Sequence, residues 1–351
     1  MLLWARGDVP DRVPEPWAGE WLRARRDRAA GKPTGPARAD PEAARRRAAQ
    51  RMRRIAGGAG ELEQRLADLL RDGLASAPAP DAWEETAARM VDAQAPGLAA
   101  RVRELGALPA SGPGWPSRLL AEAALLHLLG RGFLGLDALP EPLAATVRSR
   151  VGLTVDTAQL LAGDTVRDDW LVLAQEDQDD GRLTTRRIWL RGRGSGRFAL
   201  LLSYGAGGSP PALALPTGLA LDAALAYYPG AHALRAALGD RHGPPADSPA
   251  PLGTGIAAAI RAYADALTYD PWLDAVPAVL SGVTPVPGDT DAPWQLAETA
   301  TGDALPLDPR ATGLWQLTAV SGGAPLTVFG ELGHAGLRPL TTWYDETAVT
   351  L

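Results

Sequence analysis

The hydrophobic spacing of this chain changes once, near residue 165, and that change limits the folds open to it. Before residue 165, apolar residues recur at helical spacing, as Leu62, Leu66 and Leu69 do. After it, short apolar runs alternate with clusters of Gly, Pro and Asp, which is typical of strands and turns. The pattern predicts an α+β fold with an N-terminal all-α helical domain. A β-rich, mainly antiparallel domain with one or two helices follows it.

The length of 351 residues suits two or three domains, at roughly 150 residues each. We predict short helices and a linker over 1–39, an α-helical domain over 40–165 and a β-rich domain over 166–351. The helical domain begins with a good N-cap, Asp40, and a proline at the first helical position, Pro41. Three glycines are expected to interrupt this first long helix, namely Gly57, Gly58 and Gly60.

The β-rich part opens with a strand-like run over 170–173, and a predicted hairpin follows it. Its strands cover 182–191 and 197–204, and the glycines of 192–196 form the turn. One helix is predicted over 255–267. Further short strands are predicted near 212–228, 276–286, 294–300, 315–320, 326–331 and 337–344.

Several kinds of chemistry are excluded by residue type. The chain has no Cys, which rules out disulfides, a thiol nucleophile and thiolate metal sites. Its single lysine, Lys32, precedes Pro33 and belongs to no phosphate-binding loop, and no G-x-S-x-G motif is present. We therefore expect a non-enzymatic protein with no catalytic residue, metal or cofactor. The alternative is a cryptic enzyme in which Asp168, Asp169 and Glu331 converge in one pocket.

Charge is unevenly distributed along the chain. Residues 1–72 carry 16 basic and 11 acidic residues, and the remainder carries 19 basic and 30 acidic residues. The densest basic segment lies in the predicted helix over 40–54. Its candidate nucleic-acid-binding residues are Arg45, Arg46, Arg47, Arg51, Arg53 and Arg54. The alternative is a solvated helix surface that pairs with the acidic remainder of the chain.

The sequence shows no secretory signal and no membrane span. The apolar start, Met1 to Trp4, is ended by Arg6 and Asp8 before a signal core could form. The most apolar stretch, 119–136, contains Glu122 and is short of a clean span of ~20 residues. We expect a cytoplasmic protein without membrane contact.

Several short segments occur together in a fixed order. They are VDAQAPGL (91–98), GPGWP (112–116), VRDDW (166–170), RIWLR (187–191) and AYYPG (226–230). In this order they resemble the long region that follows the zinc finger in bacterial SWIM zinc finger family proteins. Residues 2–8, LLWARGD, resemble the end of the helix directly after that finger. The resemblance covers nearly the whole chain.

The resemblance implies a zinc finger of the pattern C-x-C…C-x-H just before residue 1, and no zinc ligand carries over to this chain. We expect a shortened gene product, a misassigned start or a relative that lost the finger, with zinc only in relatives that keep it. The family implies a binding or scaffold protein, and we hypothesise that the basic helix assists nucleic-acid binding. The alternative is a protein–protein adaptor for a gene-cluster system that contains an ATPase.

Overall fold

A computed structural model of the chain describes residues 41–74, 80–181, 183–206, 209–289 and 292–351. The short helices and linker predicted over 1–39, and the predicted cap Asp40, lie outside the described residues. Backbone contacts divide the chain into two units, Met1–Arg53 and Arg54–Leu351. The described part of the first unit is the beginning of one helix, and the second unit holds the elements that follow.

Helices occupy the described chain up to residue 161, and five of them carry a proline at their first residue or in their first turn. Proline suits that position because the first amides of a helix have no partner inside the helix. The helices are α1 (Pro41–Asp72), α2 (Pro80–Asp92), α3 (Pro96–Ala107), α4 (Trp115–Leu134), α5 (Glu141–Val151) and α6 (Thr157–Leu161). Their buried residues include Ile55, Leu62, Met90, Leu98, Leu119 and Leu126. Among the described residues, no helix is long and apolar enough to cross a membrane.

The predicted interruption of the first helix is wrong, because α1 is continuous through Gly57, Gly58 and Gly60. Each glycine costs an isolated helix about 1 kcal/mol relative to alanine. Here the flanking Ile55 and Leu62 are fully buried, so packing holds the helix together. Gly58 also allows a close approach, since a β-carbon there would lie 2.7 Å from the β-carbon of Ala93.

A pair of glycine substitutions tests the packing of the bundle. A β-carbon on Gly97, in α3, would overlap the backbone carbonyl of Arg150 in α5, whereas one on Gly57 would meet nothing within 4 Å. We expect Gly97→Ala to lower the free energy of unfolding by about 2 kcal/mol. Gly57→Ala should raise it by about 0.5–1 kcal/mol, because alanine suits a helix better. Urea unfolding followed by circular dichroism checks both, and equal effects would contradict this packing.

The first six strands form a sheet that closes on itself. They are β1 (Val166–Asp179), β2 (Leu183–Gly192), β3 (Phe198–Ala206), β4 (Leu219–Tyr227), β5 (Arg235–Arg241) and β6 (Ala246–Asp247). The strand order is β1-β2-β3-β5-β4-β6, and β4 also pairs with β1, so five strands make a barrel. The β3–β5 pair is parallel and the other pairs are antiparallel.

Along each barrel strand, successive side chains point alternately into the barrel and toward its outer surface. Trp170, Ile188 and Leu221 belong to the apolar cluster inside the barrel. Their neighbours Leu171 and Trp189 belong to a second apolar cluster, which joins the barrel to the next sheet. This division follows from the period of two in a strand, which sends successive side chains to opposite faces.

The second sheet has the order β12-β11-β10-β7-β8-β9 and is antiparallel throughout its named strands. The strands are β7 (Ala275–Val286), β8 (Gln295–Glu298), β9 (Ala304–Pro306), β10 (Leu326–Gly333), β11 (Gly336–Tyr344) and β12 (Thr347–Thr350). Two helices, α7 (Ile256–Tyr269) and α8 (Leu314–Ser321), contribute to its apolar cluster. The predicted α+β class is confirmed: a helical region precedes two mostly antiparallel sheets with two helices.

The strand predicted over 315–320 is wrong, because these residues form α8. A short apolar run has no periodicity that separates a buried strand from a helix. Left-handed glycines stand at both ends of α8, Gly313 with φ of 71° and Gly322 with φ of 53°. Glycine after the last turn is a helix stop signal, and it marks the end of this helix.

Candidate binding cavity and the arginine face of the first helix

A cavity of about 790 Å³ lies where the helical bundle, the barrel and the second sheet meet. The bundle contributes Ser149 and Arg150, and the barrel contributes Arg187 and the loop between β4 and β5. The second sheet and its loops contribute the facing residues, among them Glu331. A volume of this size falls in the range of small-molecule binding sites.

Glu331, in β10, is the centre of the ionic network on one wall of this cavity. Its carboxylate accepts hydrogen bonds from Arg187 Nη2 at 2.6 Å, Trp189 Nε1 at 2.8 Å and Arg338 Nη2 at 2.6 Å. Arg338 also donates to both oxygens of Glu176, in β1, at 2.8 Å. The network therefore joins two barrel strands to two strands of the second sheet.

The opposite charges in this network stabilise the ionised forms of its members. Burial alone would raise the pKa of Glu331, but the charge of Arg187 and hydrogen bonds from Arg338 and Arg187 outweigh burial and lower it. Burial would lower the pKa of Arg338, but its bonds to Glu176 and Glu331 raise it above its ordinary value. Both groups are thus held in their charged forms.

A second buried ion pair links the bundle to the β part of the chain. Asp270 follows α7, and its side chain is 7% exposed. It accepts from Arg150 Nε at 3.0 Å and Arg150 Nη2 at 2.7 Å, and from the backbone amide of Trp272 at 3.1 Å. Trp272 Nε1 in turn donates to the carbonyl of Leu125 in α4 at 2.8 Å.

One cation on the cavity wall has no carboxylate partner among the described residues. Arg235, at the start of β5, is exposed, and its guanidinium carbon lies 4.5 Å from the centre of the Tyr228 ring. The Tyr228 hydroxyl lies 2.8 Å from Thr157 Oγ1, which fixes the ring. His232, in the same loop, is half-buried, and burial lowers its pKa.

The six predicted arginines lie on the first four turns of α1. Five of them are exposed, and Arg51 is half-exposed. Arg46 lies 3.7 Å from Glu42, the one acidic residue between positions 41 and 54. At 100° per residue, Arg46, Arg47, Arg51, Arg53 and Arg54 fall within an arc of about 160°, and Arg45 lies outside it. This arc is called the arginine face below.

Comparison with known families identifies the helical region. Residues 50–151 match the sequence model of the SWIM-associated four-helix bundle domain. These residues form a SWIM-associated four-helix bundle domain. Searches among curated proteins and among solved structures find no match.

The SWIM-associated bundle spans α1 from residue 50 onward, together with α2 to α5, and it carries two of the segments on which the resemblance rests, 91–98 and 112–116. Arg51, Arg53 and Arg54 fall within the matched range, and Arg45 to Arg47 precede it. The segments at 187–191 and 226–230 lie in the barrel, and both contribute to the cavity wall. These two segments had stood out in the sequence, but the sequence alone did not show that they lie side by side in the fold.

The residues of this chain do not fit a zinc finger. It has no Cys, and the described residues hold no group of three or more His, Asp or Glu that could bind a metal. Two of its four histidines, His232 and His334, line the cavity, and His127 Nδ1 lies 2.7 Å from Glu63.

The three carboxylates of the cryptic-enzyme hypothesis do not meet. Asp168 accepts hydrogen bonds from the backbone amides of Gly194 and Ser195, at 2.9 and 2.8 Å, in the hairpin turn. Burial would raise the pKa of Asp168, but hydrogen bonds from the Ser195 side chain and from the amides of Gly194, Ser195 and Asp169 outweigh burial and lower it. Asp169 pairs with Arg193 at 2.9 Å. Glu331 lines the cavity, and the other two do not.

Proposed function

We propose that this chain is a non-enzymatic nucleic-acid-binding protein and that the arginine face of α1 contacts the phosphate backbone. The observation that carries the proposal is the density of exposed guanidinium groups on one side of one helix. Residues 41–54 contain six arginines and a single acidic residue, Glu42. Arginine binds phosphate through two parallel N–H groups, so such a face recognises backbone charge and not base sequence.

The dimensions of the face suit a nucleic acid. Arg46 and Arg53 lie seven residues apart, and so do Arg47 and Arg54, which makes two rows along the helix. At 1.5 Å per residue, each row spans about 10 Å, and the major groove of DNA is wide enough to admit a helix. The proposal concerns only these phosphate contacts, and DNA and RNA both supply them.

Replacing all six arginines with glutamine should abolish this binding. Glutamine keeps a high helix propensity, so α1 should persist. We expect the affinity for a fluorescein-labelled 20-base-pair DNA duplex to fall at least 100-fold at 50 mM salt, measured by fluorescence anisotropy. The reason is that every arginine that neutralises a phosphate releases a counterion from the duplex, and glutamine releases none.

The matched control replaces Arg65 and Arg71, in the second half of the same helix, with glutamine. Both pair with neighbouring carboxylates, Glu61 and Asp68, and neither belongs to the arginine face. Duplex binding should stay within twofold of wild type. Equally weakened binding in the two variants, or unchanged binding in the sixfold variant, would contradict the proposal.

A protein adaptor is the second candidate, and the position of Trp315 favours it. This side chain, in α8, is 71% exposed and contacts the edge of Trp294 with ring centres 4.9 Å apart. Exposed tryptophans are over-represented among residues that dominate protein interfaces. An ATPase-type partner recovered from the native host after nuclease treatment would support the adaptor over the nucleic-acid-binding protein.

A further inference from the structure

The geometry points to a second ligand site in this molecule: the cavity between the barrel, the bundle and the second sheet binds one nucleotide unit. The unit is either a free nucleotide or a nucleotide of a single strand, since both present a planar base and a phosphate. None of the residues that line the cavity belongs to the arginine face, so the inference does not rest on that face. Three features carry the inference, namely the connectivity of the barrel, the position of the cavity on it and the groups that line the cavity.

The barrel has a recognisable connectivity. Its five strands follow the order β1-β2-β3-β5-β4, β4 closes onto β1, and β3 runs parallel to β5. The first strand is long, and its register shifts between Val172 and Ala174, as it must to serve two neighbours. This is the strand order of the OB-fold, a five-stranded barrel. OB-folds bind oligonucleotides on the face of strands 2 and 3, between the loops that join strands 1–2 and 4–5.

The cavity occupies that face. Arg187 and Trp189 of β2 and Leu200 of β3 line it, and their neighbours Ile188 and Leu201 point into the barrel. The end of β1 contributes Gln178, and the β4–β5 loop contributes residues 228–230 and 232–234. The position predicted by connectivity and the position found as a cavity therefore agree, although neither observation depends on the other.

The lining carries groups that suit a nucleotide. The guanidinium carbon of Arg235 lies over the Tyr228 ring, 4.5 Å from its centre, and Arg235 is exposed to solvent. A guanidinium held this way can stack on a base or bind a phosphate. Ser149, Gln178 and His232 add hydrogen-bonding groups around the same space. OB-folds also bind oligosaccharides, but a neutral oligosaccharide has no charge for Arg235 to complement.

The opposite wall limits the length of the ligand. Helix α5 and the loops of the second sheet face the barrel across the cavity, with Ser149 on one side and His334 on another. An open OB-fold groove follows a strand over several nucleotides. Here the space between these walls is a half-open cavity of about 790 Å³, which suits a single unit or the end of a strand.

The test uses the full chain and two probes, AMP by isothermal titration calorimetry and a fluorescein-labelled ten-residue oligo-dA by fluorescence anisotropy. We expect saturable binding of at least one probe, and competition between the two. Arg235→Ala should weaken binding about tenfold, because it removes the stacking cation. Ser149→Trp, an exposed position on α5, should abolish binding by filling the cavity from the bundle side.

Arg241→Ala is the matched control, since Arg241 is exposed on the same strand, β5, outside the cavity. It should leave both affinities within twofold of wild type. Binding of AMP alone would identify a free nucleotide, and tighter binding of oligo-dA would identify a single strand. No binding of either probe at millimolar concentration, or equal affinities for wild type and Ser149→Trp, would overturn the inference.

The arginine face and the cavity can be tested independently of each other. The sixfold arginine variant of α1 should bind AMP or oligo-dA as wild type does, because its substitutions lie outside the cavity. Arg235→Ala should leave the salt dependence of duplex binding unchanged. A loss of both activities in either variant would show that one site, and not two, had been measured.

Discussion

Glu331→Gln should lower the free energy of unfolding by about 3 kcal/mol at pH 7. The substitution leaves Arg187 and Arg338 without the carboxylate that both contact, and Glu331 itself is only 11% exposed. Removing one partner of a buried ion pair costs more than the pair contributes, since the remaining charge stays desolvated. Guanidinium chloride unfolding, followed by circular dichroism, measures the change.

The effect should depend on pH in a defined direction. The pKa of Glu331 in the folded chain lies below its ordinary value of 4.5, so the carboxylate stabilises the fold fully above that value. This stabilisation is lost as the pH falls through the lowered pKa. The difference in the free energy of unfolding between wild type and Glu331→Gln should therefore become smaller below pH 4.5. A difference that grows on acidification would contradict the stabilising role of the Glu331 carboxylate.

Asp270→Ala should also destabilise the chain by about 3 kcal/mol. Asp270 is nearly buried and holds Arg150 through two hydrogen bonds, so its removal leaves a guanidinium without a partner between bundle and sheet. Because the pair joins two regions, we also expect the bundle and the β part to unfold less cooperatively. Differential scanning calorimetry should show an unfolding transition that lies at a lower temperature and is broader than that of wild type.

The control has the same geometry in a different environment. Asp222 and Arg167 form an equally close double hydrogen bond, at 2.8 and 2.7 Å, on the exposed outer face of the barrel. Solvent screens this pair, so Asp222→Ala should have a much smaller effect. Similar destabilisation by Asp222→Ala and Asp270→Ala would show that burial does not determine the strength of these pairs.

The sequence predicted the parts of the fold that depend on local signals. The prolines at helix starts and the apolar spacing of α1 located the helices, and the glycines over 192–196 located the β2–β3 hairpin. Local signals failed where packing decides the outcome. The continuous passage of α1 through Gly57, Gly58 and Gly60 depends on burial against other helices, which periodicity does not report.

The closed barrel could not be predicted, because its defining contacts join distant segments. Val166 pairs with Leu225, and Leu200 pairs in parallel with Arg235. The spacing of apolar residues within a short segment does not reveal such pairings. The cavity depends on these contacts, so Arg235 and Tyr228 were missed as binding candidates. The arginine face, by contrast, was visible in full, because it lies on one continuous helix.

The salt dependence of duplex binding shows whether the arginine face contacts phosphate groups. With about four phosphate contacts from the arginine face, the affinity of the full chain should fall about 100-fold between 50 and 200 mM salt. Fluorescence anisotropy of the labelled duplex, over a series of salt concentrations, gives the slope. A linear log–log decrease that disappears in the sixfold arginine variant is the predicted result. Absence of binding at 50 mM salt, or a slope unchanged in that variant, would contradict it.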